Sequence, residues 1–189
     1  FGLGLMAAFP NLPGTIAGAF FCGLGYGPIT PASSHLLARS APAGRVALVF
    51  SLKQTGVPLG GVMAGALVPP LVVLGGVATA LWAVAAGCVA CIALGQPLRA
   101  ALDADREPGH RISFTSLFGA IRLVATSPPL LRLALMSFVF ASMQTALSGF
   151  LVTFLNTSLE YSLLAAGAAL SVAQVGGVVG RVLWGYLAD

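Results

Sequence analysis

The chain has 189 residues, 58% of them hydrophobic and only 7% charged, whereas soluble domains carry roughly a quarter charged residues, so its surface is made for lipid. Its net charge of +4 is spread singly along the edges of apolar runs, with no basic stripe and no interleaved aromatic ladder, which argues against a nucleic-acid partner. The expected partner is the bilayer, and the length is best divided by the roughly 20 apolar residues that a spanning helix needs.

Phe1–Phe9 is apolar but too short to cross, and reads as the end of a span. There is no initiating Met and no leader signature, so the chain looks cut at its start, and it stops abruptly at Asp189. Pro10, Asn11, Pro13 and Gly14 read as a tight turn. A first complete span follows over about 15–38, where Gly23, Gly25, Gly27, Pro28 and Pro31 predict a kink near the middle. Arg39 to Arg45 is a short basic connection. The second span covers about 46–71, with Pro69, Pro70, Gly75 and Gly76 marking the return, and the third about 77–98, with Trp82 at the interface level. Cys22, Cys88 and Cys91 all sit in apolar runs. No basic or acidic group accompanies the Cys88-x-x-Cys91 pair, so the cysteines read as small fillers, and neither a metal site nor a cofactor is expected.

The one extended polar passage, residues 99–129, breaks the chain into two apolar blocks. Between Leu98 and Arg132 stand Arg99, Arg106, Arg111, Arg122 and Arg132, with Asp103, Asp105 and Glu107 among them. Within it, Ser113 can cap a short helix carrying Phe114, Leu117, Phe118, Ile121 and Ala125 at helical spacing, a pattern suited to lying on a membrane surface. Two further spans are expected at about 130–155 and 163–186, separated by the polar turn Asn156–Ser162. The fold class is therefore all-α, a multi-pass membrane bundle in two parts joined by a polar linker. Basic residues stay on the cytoplasmic side. Arg39, Arg45, Lys53, the linker arginines and Arg181 all fall on one side of this layout, while the turns at Asn11, Gly75 and Asn156 have none. The linker is thus cytoplasmic. The cationic set of eight Arg and one Lys, in an Ala/Gly/Leu-rich chain, points to a bacterial cell (inner) membrane.

Small residues four apart let membrane helices approach closely. Gly56, Gly60, Gly61 and Gly65 on the second complete span and Gly176, Gly177, Gly180 and Gly185 on the last are expected to pack on each other in the cytoplasmic half. Lys53, two turns into its helix, is expected to snorkel to the headgroups; with Gln54 it could also meet an anionic solute. His35 reads as an interface residue.

The run from Gly180 through Arg181 and Gly185 to Asp189 (GRVLWGYLAD) resembles the G-x-L-a-D cytoplasmic motif of the major facilitator superfamily, in the copy after the eighth helix. Gly23–Pro28 with Arg39, and Lys53–Gly61, are similar to that family's fourth and fifth helices. The resemblance covers the end of the third helix to the eighth, with parts of two six-helix halves joined by the loop. It implies that further helices complete the fold and that this stretch alone transports nothing. The family's antiporter signature has Gly directly before Pro, but Val57 separates Gly56 from Pro58, so the resemblance does not imply antiport.

By the same resemblance, the fourth and seventh helices line a central cavity. Tyr26, Thr30 and Ser33 share one helical face, and Ser137, Gln144 and Ser148 another. With Gln174 on the last span, these polar groups could meet a solute or bond a neighbouring helix, and both readings stand. Arg181, Gly185 and Asp189 would belong to a cytoplasmic gate. An aspartate there caps a helix or pairs with an arginine, and its partner is expected to lie outside this chain. The implied function is secondary transport of a small solute, with or without a coupling ion. A non-transporting membrane subunit or receptor is the rival, and an intramembrane enzyme a weaker one, since the residues form no catalytic constellation.

Overall fold

The structure, a computed structural model, describes residues 1–42, 44–99 and 114–189, with backbone alone for 114–117. The polar residues at 103–111 and the capping Ser113 therefore lie outside the described residues. Among those described, every regular element is a helix: α1 (Gly2–Ala8), α2 (Leu12–Tyr26), α3 (Ile29–Ser40), α4 (Val46–Gln54), α5 (Gly56–Gly95), a short 3-10 turn (Gln96–Leu98), α6 (Phe114–Thr126), α7 (Pro128–Thr157) and α8 (Leu163–Ala188). Among the described residues, three stretches are long and apolar enough to cross a membrane, Val46–Leu98, Pro128–Thr157 and Leu163–Ala188. The first is broken by non-helical backbone at Gly76.

The helix boundaries follow from proline, glycine and caps. The expected turn at Pro10–Gly14 is shorter than the sequence suggests. Asn11 Oδ1 accepts from the Gly14 amide at 2.8 Å, and Pro13 falls in the first turn, where a missing amide costs nothing; α2 therefore begins at Leu12. The first span breaks where Gly27 and Pro28, both in right-handed helical conformation, join α2 end to end with α3. The return after the second span comes at Gly76 rather than at the Pro69–Pro70 pair, because Gly76 alone takes a left-handed φ of 77°, a conformation open to glycine. The prolines instead sit inside the helix, which runs on through Gly75.

Two contact regions hold the bundle. Near the start, α1 packs on α2 and on the second half of α5, with Gly4 beneath the Trp82 ring. The larger region is an antiparallel seam between α4–α5 and α8. It runs from Ser51 against Gly185, through Pro58 beside Gly177 and Gly61 beside Gln174, to Gly65 and Pro69 against Gly167. Pro58 and Ala166 are fully buried within it, while the outward faces remain apolar and exposed, as lipid requires.

The seam corrects the glycine expectation in two ways. Gly56, Gly60, Gly176 and Gly180 have open space where a Cβ would stand, because adjacent helical residues cannot both face one neighbour. The contact also extends beyond the expected glycines, through Gly167, which meets Gly65. There a Cβ on Gly65 would come within 2.5 Å of the Gly167 carbonyl and 2.6 Å of Ser171 Oγ.

Candidate functional site

Beside the middle of α7, where α2–α3, α4–α5, α7 and α8 converge, lies a cavity of about 670 Å³. Tyr26 at the end of α2 and Thr30 in the first turn of α3 line one wall. The helix break at Gly27–Pro28 turns both toward the centre. Gln54 and Val57 lie at the junction of α4 and α5, where Thr55 is buried and its hydroxyl donates to the Leu52 carbonyl at 2.6 Å. The facing wall is one stripe of α7: Phe140, Ala141, Gln144, Thr145 and Ser148. These recur at helical spacing near the middle of a 30-residue helix.

Arg181 enters the same cavity from α8. Its Nη2 donates to Gln144 Oε1 at 3.1 Å, and its guanidinium carbon lies 5.9 Å from the centre of the Phe140 ring, within cation–π range. The side chain of this arginine, expected at a gate, thus reaches across to α7 and lines the cavity. A second, larger groove of about 980 Å³ opens between α7 and α8, lined by Pro58, Met143, Leu147, Gln174 and Trp184. Phe140, Gln144 and Arg181 border both spaces, so the Arg181–Gln144 hydrogen bond forms part of the partition.

The remaining polar candidates separate. Gln174 is buried, donates from Nε2 to Ser148 Oγ at 3.2 Å, and packs against Gly61; it ties α8 to α7 and faces the groove, not the central cavity. Ser33 donates to the Ile29 carbonyl at 2.5 Å, which satisfies it within its own helix. Ser137 is exposed, and neither serine lines the cavity. Both are removed from the set of cavity residues. Thr145, Gln54 and Arg181 join it. The snorkelling expectation for Lys53 is also corrected, since Nζ donates to Ser34 Oγ at 3.2 Å and to the Thr30 carbonyl at 3.5 Å, linking α4 to α3. His35 is exposed on α3 and lines neither space.

Beyond the last turn of α8, Asp189 finds its partner inside this chain, contrary to the expectation. Its Oδ1 accepts from the Ala47 amide and its Oδ2 from the Leu48 amide, each at 2.8 Å. These are orphan donors of the first turn of α4, and Arg45 at the N-cap offers no side-chain cap. A carboxylate at a helix N-terminus also meets the positive end of the helix dipole. The end of the second apolar block is thus fastened to the start of a helix in the first.

Comparison with curated proteins and with solved structures gives no match. The family model described as Major Facilitator Superfamily matches residues 1–189. A chain with apolar membrane-length helices, small residues along a crossing seam and a cavity with polar lining between its helices, matched by this model from end to end, is a multi-pass membrane protein belonging to the Major Facilitator Superfamily of membrane transporters.

Proposed function

We propose that the chain is the central part of a secondary active transporter in the bacterial inner membrane, and that it moves a small solute by alternating access around the cavity of Tyr26, Thr30, Gln54, Gln144, Thr145 and Arg181. The carrying observation is the convergence of polar side chains from both apolar blocks on one cavity, the place where rocking of two helical bundles exposes a fixed site to each side in turn. Buried polar groups in a membrane are expensive unless partnered or used, and most of these face open space.

In this reading the Asp189 cap on α4 is a latch. It holds the cytoplasmic ends of α4 and α8 together in one state and parts when the halves separate there. The seam of Gly61, Gly65, Gly167 and Gly185 gives the surface across which they rock. Residues 99–129, as the linker, keep the halves joined.

The test is uptake of a panel of labelled small solutes into vesicles containing the full-length protein, with and without a pH gradient. Saturable uptake of at least one solute, reduced by Gln144→Ala, is expected. Absence of any saturable flux across the panel would reject transport and favour a non-transporting membrane subunit.

A further inference from the structure

We infer that the central cavity accepts a small monocarboxylate, with its anionic head docked on the Arg181 guanidinium; the inference rests on reading that cavity as the solute site. Among the described residues, Arg181 is the only cation lining the cavity. Its partners are a neutral carboxamide oxygen and an aromatic face. The acidic side chains of the described residues are Glu160 and Asp189. Glu160 stands in the turn between α7 and α8, and Asp189 is committed to the amides of α4, so neither neutralises Arg181. With no described carboxylate committed to it, this half-buried guanidinium draws a mobile counterion to itself.

The geometry narrows the class of anion. A guanidinium presents five N–H donors in a planar fork, and one of them is used on Gln144 Oε1. The Phe140 ring stands 5.9 Å from its central carbon. The donors left over suit a planar two-oxygen acceptor taken bidentately. A single guanidinium balances a single negative charge. Lys53 is held by the Thr30 carbonyl and the Ser34 hydroxyl and is not among the cavity-lining residues, so a dianion such as a phosphate would have part of its charge unmatched. Val57, Phe140 and Ala141 offer apolar wall to the organic body, and Tyr26 and Thr30 line the same cavity. A cationic solute would meet like charge.

The test uses the full-length protein with Cys22, Cys88 and Cys91 replaced by alanine and Thr145→Cys introduced as a reporter in the cavity wall. Labelling rates are measured with an anionic (sulfonatoethyl) and a cationic (trimethylammonioethyl) methanethiosulfonate, each normalised to a free thiol in solution. Preference for the anionic reagent by about tenfold is expected from a focused positive field, lost in Arg181→Gln and kept in Arg181→Lys. Acetate, lactate and benzoate are then compared with their amides and with chloride as protectants. Slower labelling with at least one carboxylate, and not with its amide or with chloride, is the expected result. An anionic preference unchanged by Arg181→Gln, or protection equal for carboxylate and amide, overturns the inference. Protection by chloride equal to that by the carboxylates assigns the site to an inorganic anion and overturns it too. If neither reagent labels Thr145→Cys, the water-filled cavity is absent, and the transport reading falls with it.

Discussion

Asp189 and Arg181 stand two turns apart on α8 and act at different depths. Both belong to the motif-like run at the end of the chain, and sequence placed them together as gate residues. The carboxylate is short and stays where its backbone leaves it, at the helix end, where two amides of α4 receive it. The arginine has a long stem that can point either way along the helix axis; here it turns inward to Gln144. Asp189→Ala should therefore cost about 1 kcal/mol, the usual loss for a helix cap, seen as a lower melting temperature in detergent and as raised cysteine accessibility at Ala47→Cys. Ser33 and Ser137 show the opposite limit of sequence reading. They share helical faces with true cavity residues, but one bonds its own helix and the other lies away from the cavity wall, and helical periodicity does not distinguish depth along a face.

At the scale of elements, glycine spacing pointed to the pair of helices that meet but not to which glycines meet. Gly60 and Gly61 are neighbours in sequence; a side chain on the first would enter open space and on the second would strike the Gln174 carboxamide. Gly65→Ala, placing a methyl group against the Gly167 carbonyl and Ser171, is expected to destabilise by about 1–3 kcal/mol through overpacking. Gly60→Ala is the matched control, and should leave stability unchanged or raise it by up to about 1 kcal/mol through helix propensity. Thermal melts of the two variants check this difference. At the turn between the second and third spans, Gly76→Ala should destabilise and Gly75→Ala should clash with Thr79, which packs directly against it; only the Gly76 effect stems from backbone conformation, so its size should be the same with Thr79→Ala, as double-mutant melts would reveal.

For the whole molecule, the sorting of charge is expected to set the direction of every pass. In vesicles or spheroplasts of known sidedness, Asn156→Cys should react with an impermeant thiol reagent from outside and Arg39→Cys from the cytoplasmic side, in a chain whose native cysteines are replaced. Reaction of both from one side would reverse the layout. The all-α membrane class and the break near Gly27 were legible in the sequence because they depend on local terms: apolar length against bilayer thickness and proline and glycine geometry. Tertiary structure alone decided that Asp189 caps α4, that Lys53 bonds Thr30 and Ser34, that Gln174 joins Ser148, and that Arg181 rather than Ser33 or Ser137 faces the central cavity. Each of these depends on rotation and depth of one helix relative to another, quantities set by packing across the Gly65–Gly167 seam, which leave no period in a single chain.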